Sequence, residues 1–397
     1  MDKNLLLMMK NEHVMKINLD TAMYEVINEK LLPFTMQGKM PRIPDFSEIH
    51  SKYDDTQRQI AIRKNYNAFL SFLASRVLPI TRTNAKKIYG LFGFEQLQDD
   101  LSKAKIAIVC RALSLQDNYW IKIEGDSTKW EDVCLRHVSL SEAVAQVSLH
   151  GSSLTLTNKK EEAMRTPELT GQGAYAKAWV REPDGLYLYK KGANGVMESK
   201  IEVMVSNLLD NCNVDHLKYE AGESNGGYIC KCKCMTDDTI SILSGMDFDT
   251  WCNVRGLDSR KEALKIDPES IYKMWIVDYL ISNRDRHGLN WGFFYNCDTQ
   301  EILGCHPLYD HNNSFDIPLM QNKDAEYLYD SSMTMKQAAM KAMENVDFHF
   351  YREPVRSDFL TDRQYKSYMD RARDLDIKVV PKSNSMIDDV INRMSGE

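Results

Sequence analysis

Several features that would assign a protein to a class from composition alone are missing from this chain of 397 residues. No segment has the roughly 20 consecutive apolar residues that a membrane-spanning helix needs. The run Leu5–Met9 is too short and wrongly flanked for a secretion signal. The nine cysteines have no framework spacing, which argues against a disulfide-stabilised secreted scaffold. We therefore expect reduced thiols, a cytoplasmic location and no membrane association.

A surplus of positive charge is also absent. The formal net charge of -7 argues against a protein that grips nucleic acid through bulk charge. No helix-turn-helix pattern with clustered basic residues and no internal repeat is seen, so direct nucleic-acid binding is not expected. The length exceeds what one small core normally supports, which predicts two lobes or more.

The most informative segment present is a polar stretch, Asn283–Gly292, with the sequence NRDRHGLNWG. Asp285 supplies a carboxylate able to orient a hydroxyl group and accept its proton. Asn290, five residues later, and Asp310, in a following Pro-Leu-Tyr-Asp run, supply the oxygen ligands that Mg²⁺ prefers. This combination predicts transfer of a phosphoryl group from ATP, with Mg²⁺ as the metal cofactor.

The flanking sequence predicts how this loop is held. Ile271–Ile281 has helical spacing and would position the loop from a buried element. Trp291–Tyr295 and Glu301–Gly304 are typical of strands, with a turn over Asn296–Thr299 between them. A hairpin is therefore expected between Asn290 and Asp310.

An ATP site also needs a phosphate-binding loop and a lysine, and both are predicted upstream. A Gly-x-Gly loop lets backbone approach phosphates closely because two side chains are missing. A turn ending at Gly185 and a strand, Leu186–Tyr189, follow it and lead to Lys190. Lys190 is preferred to Lys191 because strand alternation directs the two side chains to opposite faces.

A helix over Glu198–Leu209 should follow, with Glu202 beside its apolar stripe and Glu198 as the alternative partner of the lysine. Two strand-like runs, His216–Ala221 and Gly227–Met235, would complete a small sheet and lead into the adenine-binding hinge. The predicted nucleotide-binding residues are Thr170, Gly171, Gln172, Gly173, Lys190 and Glu202.

These motifs resemble those of the HipA-like serine/threonine kinases, a family distantly related to eukaryotic protein kinases and lipid kinases. The resemblance is carried by Asn283–Gly292, Pro307–Asp310 and Asn313–Phe315 and is strongest over residues 169–315. It implies that Asp285 is the catalytic base and that Asn290 and Asp310 are magnesium ligands. It also implies that His287 organises the catalytic loop.

The fold implied by this resemblance is α+β and two-lobed, of the protein-kinase-like type. It comprises a small antiparallel β-sheet lobe, an α-rich C-terminal lobe and an N-terminal extension. We expect residues 1–150 to form the extension, packing on the small lobe. Residues 151–236 would form the ATP-binding small lobe and residues 237–397 the α-rich catalytic lobe.

The implied activity is transfer of the γ-phosphoryl group of ATP to a serine or threonine of a protein, possibly of the chain itself. The family also implies a toxin–antitoxin pairing, with a small DNA-binding antitoxin as a partner. Loops of this family often carry a serine that is autophosphorylated. Here Thr170 is the nearest hydroxyl before the glycines, so this switch is in doubt.

Other interpretations of the same residues stay open. One is a catalytically weak, kinase-like binding or regulatory module, and another is AMP transfer or small-molecule phosphorylation on the same scaffold. His306 and His311 flank Asp310 and permit a metal-hydrolase hypothesis that also uses Asp285 and His287, but this leaves the glycine loop unexplained. The period-two cysteines at positions 230, 232 and 234 favour a strand core over a zinc site.

The remaining elements are predicted from periodicity and caps. Further helices and one strand are expected over Asp54–Leu78, Thr83–Leu91, Gln96–Leu113, Asn118–Ile123 (the strand), a segment opening at Ser139, Met333–Met343, Thr361–Leu375 and Ser385–Met394.

Overall fold

The computed structural model describes residues 4–38, 66–94, 99–154, 160–192, 197–356 and 360–382. The helix predicted over Ser385–Met394 lies outside them, as does the first part of the helix predicted from Asp54; the described remainder of that helix covers residues 66–74. Contacts divide the chain into two compact units. The first comprises Met1–Ser199, Glu220–Asp267 and His287–His306, and the second comprises Lys200–Tyr219, Pro268–Arg286 and Pro307–Glu397. The predicted domain boundaries at residues 150 and 236 stay a prediction.

The first unit opens with a four-stranded antiparallel sheet in the order β3-β2-β1-β4. Its strands are β1 (Asn4–Met9), β2 (Glu12–Asn18), β3 (Tyr24–Val26) and β4 (Tyr119–Ile123). The central strand β1 is apolar throughout after Asn4 and buried on both faces. Trp120 of β4 is fully buried in the core beside Trp130. The predicted strand at Asn118–Ile123 is therefore present as the edge strand β4, and it contributes to the hydrophobic core.

A second antiparallel sheet of the first unit has the order β5-β6-β8-β7. Its strands are β5 (Lys177–Glu182), β6 (Gly185–Lys190), β7 (Glu220–Ser224) and β8 (Gly227–Lys233). The predicted sheet is therefore present, with its third strand at Glu220–Ser224 rather than at the predicted His216–Ala221. The turn between β7 and β8 is shorter than predicted. It consists of Asn225 and Gly226, which both take positive φ angles, as a two-residue hairpin turn requires.

The third sheet of this unit contains the predicted hairpin after the catalytic loop. Its order is β11-β10-β9, with β9 at Ile240–Ser244, β10 at Gly292–Asn296 and β11 at Ile302–Cys305. The turn before β11 is held by the Asn296 side chain, whose Oδ1 accepts from the backbone of Asp298 and Thr299. The hairpin prediction is confirmed to within one residue at each strand.

Helices surround these sheets. The described helices that lie within the first unit are residues 66–74, Ala85–Phe92, Asp100–Val109, Glu142–His150, Lys160–Ala163, Gly245–Val254 and Ser259–Ile266. Asp99 and Ser141 cap two of them by accepting from backbone N–H groups of the first turn. The helix predicted from Gln96 is shorter than expected, because Asp99 is its N-cap and its first residue is Asp100. Asn84 precedes the helix Ala85–Phe92 with a left-handed backbone, and its side chain makes no cap bond.

The second unit is mostly helical. Its helices are Pro268–Leu280, Ile317–Gln321, Met335–Met343 and Asp362–Asp374, and the helix Met197–Leu209 begins in the first unit and ends in this one. Short strands add two pairs, Glu326–Tyr327 with Asp330–Thr334 and His349–Phe350 with Lys378–Val379. The helix Pro268–Leu280 is buried on nearly every side, in keeping with its largely apolar sequence.

The α+β class predicted from the sequence is confirmed, with several small antiparallel sheets and a helix-rich second unit. Within the described ranges, none of the helices combines the length and apolar character needed to cross a bilayer.

Candidate active site

Asp285 lies in a loop of the second unit whose conformation is fixed by two asparagines. The loop leaves the helix Pro268–Leu280 through Ser282, which has a positive φ of 49°. The backbone N–H of Asp285 donates to Asn283 Oδ1 at 3.0 Å. Asn313 Nδ2 donates to Asp285 Oδ2 at 2.8 Å. The half-buried carboxylate of Asp285 is therefore held in one orientation from a different part of the chain.

A buried ion pair stabilises this loop. Asp278, on the preceding helix, and Arg286 have side chains that are both 0% exposed, with Arg286 Nη2 2.9 Å from Asp278 Oδ1. Asp278 also accepts from Tyr327 OH at 2.6 Å and from Asn283 Nδ2 at 2.9 Å. Burial alone would lower the pKa of Arg286, but the Asp278 carboxylate raises it above its usual value. Both charges are thus satisfied inside the unit.

Arg286 also joins the Asp285 loop to the segment that carries Asp310. Its Nη1 donates to the carbonyl oxygen of Tyr309 at 3.0 Å, and its Nη2 lies 3.4 Å from His311 Nδ1. Arg286 follows Asp285 directly, and Tyr309 and His311 are the two neighbours of Asp310. One guanidinium therefore brings the two predicted acidic residues together within the second unit.

Asp310 has an unusual backbone and its own local partner. Its φ is 58°, a left-handed value that is uncommon for residues other than glycine. Asn312 Nδ2 donates to Asp310 Oδ1 at 2.8 Å. The next backbone N–H, of His311, donates to Glu202 Oε2 at 2.9 Å, and Glu202 is 1% exposed. Glu202, predicted to orient a lysine, thus stabilises the backbone beside Asp310.

Asn290 and His287 lie in the first unit, in the turn that leads to β10. The ring Nδ1 of His287 accepts from the backbone N–H of Leu289 at 3.2 Å, and the His287 carbonyl accepts from Asn290 at 2.9 Å. Asn290 is buried. Gly288 contacts the start of the helix Gly245–Val254 so closely that a Cβ there would lie 2.9 Å from Met246 N. The turn is therefore fixed by contacts of its own unit.

The Gly-x-Gly loop follows a short 3₁₀ turn at Pro167–Leu169. Thr170 is buried, and its hydroxyl donates to the carbonyl of Leu113 at 2.6 Å. The amide of Gln172 donates to carbonyl groups of residues 75 and 77. These two side chains hydrogen-bond to the N-terminal region, and their role in nucleotide binding stays a prediction. Gly171 and Gly173 are left as the residues whose backbone can approach a phosphate.

Lys190 ends β6 in the first unit. It pairs with Lys177 on one side and Cys230 on the other, and it is 8% exposed, whereas Lys191 is less buried. Ser199 Oγ donates to the carbonyl of Lys190 at 3.1 Å, which ties the strand end to the next helix. Lysines are rarely buried unless an anion or a function keeps them there. Burial therefore favours Lys190 over Lys191.

Alternative metal sites receive less support from the described residues. His311 faces the Arg286 guanidinium, which favours a structural role for its ring. Cys230 and Cys232 are buried in β8, as predicted for core residues. Within the described ranges, one group of potential ligands comes together, formed by Cys134, His137 and Asp238. There the His137 ring lies 2.9 Å from the Asp238 carboxylate at the surface, an ordinary hydrogen-bonding contact.

Sequence reasoning missed Asp278 and Arg286. Asp278 was the single acidic residue inside the apolar run Ile271–Ile281, and a buried carboxylate requires a partner. The arginine that follows Asp285 comes eight residues after Asp278, in the loop that this helix leads into. That pair of signals was present in the sequence.

Comparison with known proteins gives structural similarity only. No protein-family model matches the chain, and no curated protein matches it. The proinflammatory kinase CtkA of Helicobacter pylori aligns over 52% of this chain and 90% of its own, with 12% identity and a TM-score of 0.37. A chain from the Shewanella oneidensis MR-1 toxin–antitoxin complex of HipA, HipB and operator DNA aligns over 94% of this chain and 98% of its own, with 10% identity and a TM-score of 0.49.

Proposed function

We propose that the protein is an ATP-dependent kinase that transfers the γ-phosphoryl group to a serine or threonine hydroxyl of a protein. One observation carries this proposal. In the second unit, the buried Arg286 donates to the carbonyl of Tyr309, and so links the loop of Asp285, the proposed proton acceptor, to the loop of Asp310, the proposed metal ligand. That pairing is what phosphoryl transfer to a hydroxyl requires.

Asp285 orients the acceptor hydroxyl and takes its proton. The hydroxyl oxygen forms a bond to the γ-phosphorus while the bond from that phosphorus to the β–γ bridging oxygen breaks. ADP leaves with the electron pair of the broken bond, and the proton passes to the Asp285 carboxylate. Asn313 and Asn283 keep the carboxylate in place, so little reorganisation is needed when the acceptor arrives.

The donor set fits magnesium. Asp310 offers a carboxylate oxygen and Asn290 an amide oxygen, both hard ligands of the type that Mg²⁺ selects. The bound ion would neutralise the charge of the ATP phosphates. Glu202 fixes the backbone next to Asp310 through His311, and so keeps the metal-binding carboxylate in position. In the first unit, Gly171, Gly173 and Lys190 would contact the phosphates.

Replacing Asp310 with asparagine is expected to raise the Mg²⁺ concentration needed for half-maximal phosphate transfer by at least about 10-fold, the usual cost of disturbing a metal site. Asparagine keeps the acceptor oxygen for Asn312, so the loop should stay folded. Transfer would be measured as a function of Mg²⁺ concentration. Asp376→Asn is the control, because Asp376 is an exposed carboxylate that pairs only with Lys378 in the described contacts. An unchanged Mg²⁺ curve for Asp310→Asn would remove Asp310 from the metal site.

Replacing Lys190 with methionine is expected to weaken ATP binding by roughly 10-fold to 100-fold, because a charge-assisted contact to phosphate contributes about 1.5–3 kcal/mol. Lys191→Met is the matched control, one residue away and less buried. Equilibrium binding of a non-hydrolysable ATP analogue would be measured for both. A larger loss in the Lys191 variant would reverse the assignment of the phosphate-binding lysine.

We also infer that the protein acts in the cytoplasm with a small DNA-binding partner. The Shewanella structure contains HipB and operator DNA together with HipA. The net charge of -7 on the present chain is consistent with DNA contact through such a partner rather than directly. Co-purification of the chain with the product of a neighbouring gene, followed by DNA binding of the purified pair and of the chain alone, tests this inference.

A further inference from the structure

Residues 75–83 of the N-terminal region form hydrogen bonds along the whole length of the glycine loop. Backbone groups and the side chains of Gln172, Arg82 and Thr83 make these contacts, all within the first unit. The bonds run from Leu78 N to Leu169 O at 2.8 Å, from Gln172 Nε2 to Ser75 O at 2.7 Å and Val77 O at 3.1 Å, and from Thr83 N to Ala174 O at 2.9 Å. The loop is therefore tied down before, within and after its two glycines.

Arg82 lies at the centre of this contact. It is 3% exposed, and its guanidinium donates from Nη1 to Gly171 O at 3.4 Å and from Nη2 to the carbonyl of Lys177. The same Nη2 reaches Ser148 Oγ at 3.2 Å, and that hydroxyl itself donates to Lys177 O at 2.6 Å. One side chain thus holds the beginning of the loop and the first residue of β5.

The chemistry of the contact calls for arginine. A planar guanidinium presents donors in several fixed directions, whereas a lysine ammonium is a compact point charge on a flexible stem. Burial lowers the pKa of Arg82 to about 10, so the group is still charged near neutral pH. A buried charge is tolerated only while its hydrogen bonds are made. The hydrogen bonds of the buried Arg82 guanidinium therefore stabilise this arrangement of the glycine loop.

The absence of a side chain at Gly171 leaves room for the Arg82 guanidinium. A Cβ at residue 171 would lie 3.1 Å from Arg82 Nη1 and 3.2 Å from Pro167 O, closer than an ordinary contact. Gly173 has a φ of 100°, which side chains rarely adopt. The two glycines thus have different tasks: Gly171 makes room for the guanidinium, and Gly173 allows the backbone to turn.

We propose that residues 75–83 form a clamp that holds the glycine loop in its nucleotide-binding conformation, with Arg82 as the positioning residue. Release of the clamp would free residues 170–176 and weaken ATP binding. The N-terminal region would then regulate the kinase through the shape of this loop. The part of the proposal that concerns ATP rests on the function proposed above, whereas the part that concerns loop order does not.

Hydrogen exchange of the full chain, read at the amides of residues 170–176, tests loop order directly. Arg82→Gln is expected to speed exchange there by about 10-fold to 100-fold, from the usual strength of hydrogen bonds to a charged group. Strands β6 and β8 should be unaffected, and Arg82→Lys should restore part of the protection. Gln172→Glu provides a second variant at a half-buried site, because it keeps the shape but cannot donate to the two carbonyls. Arg111→Gln is the matched control, since Arg111 pairs with Asp126 in the same unit away from the loop.

Binding of a non-hydrolysable ATP analogue is measured on the same proteins. The proposal expects the dissociation constant to rise for Arg82→Gln and Gln172→Glu and to stay unchanged for Arg111→Gln. Unchanged exchange at residues 170–176 in both loop variants would overturn the clamp. Faster exchange with unchanged analogue affinity would overturn its control of nucleotide binding. If the wild-type chain bound no analogue at all, the proposed kinase function and ATP control by the clamp would fail, while the exchange data would still decide whether the clamp exists.

Discussion

Replacing Asp285 with asparagine is expected to lower the rate of phosphate transfer by roughly 100-fold to 10,000-fold, the usual contribution of a positioned general base. Asparagine has the same shape and keeps a carbonyl oxygen for Asn313 Nδ2, but it cannot accept the proton of the acceptor hydroxyl. ATP binding and the melting temperature should therefore remain close to those of the wild type. Single-turnover transfer with saturating ATP measures the chemical step.

Asp347→Asn is the control for that experiment, because Asp347 is an exposed carboxylate of the same unit with 80% of its side chain accessible. It should transfer phosphate at the wild-type rate. Asn313→Ala should give an intermediate loss, because the carboxylate of Asp285 would remain but its orientation would not be held. Transfer by Asp285→Asn within a few-fold of the wild type would show that another group is the base.

Replacing Asp278 with alanine is expected to destabilise the second unit by about 3–5 kcal/mol, because Arg286 would be left as a buried charge without its partner. Tyr327 and Asn283 would lose their acceptor as well. The melting temperature of this unit should fall by roughly 6–20 °C. Differential scanning calorimetry, with hydrogen exchange to assign the transition to the second unit, measures the effect.

Two further variants separate stability from chemistry at this pair. Asp370→Ala removes a partly exposed carboxylate that pairs with Lys366 and Arg373 at the surface, and it should cost no more than about 1 kcal/mol. The double variant Asp278→Leu with Arg286→Met removes both buried charges and should regain most of the stability. It should not regain activity, because no guanidinium would hold the carbonyl of Tyr309. A small stability loss in Asp278→Ala alone would show that the pair does not support the loop.

The parts of the structure that could be predicted are those that neighbouring residues decide. The β5–β6 hairpin follows from Pro183, Asp184 and Gly185, which favour a turn by their own backbone preferences. The β10–β11 hairpin follows from apolar strands on either side of an Asn-Cys-Asp-Thr turn. The helix before the catalytic loop follows from its apolar spacing. In each case one short segment contains all the information needed.

The contacts that could not be predicted join distant parts of the chain. The Glu202 carboxylate accepts from His311, 109 residues away, and its pairing with a lysine stays a prediction. The Gln172 amide donates to a carbonyl 97 residues earlier, and its contact with a nucleotide stays a prediction. Thr170 likewise donates to Leu113, so its hydroxyl is buried rather than presented to solvent. A single sequence specifies which groups can form such bonds, and only the fold decides which of them meet.

The most direct test of the central claim is to incubate the purified chain, Mg²⁺ and cell extract with ATP labelled in the γ or the α phosphate. We expect a protein, either the chain itself or a component of the extract, to gain γ label on serine or threonine and no α label. The Asp285→Asn variant should abolish this labelling. Protein that gained α label without γ label would indicate AMP transfer. A chain that bound ATP but labelled nothing would contradict the kinase assignment and favour a binding module.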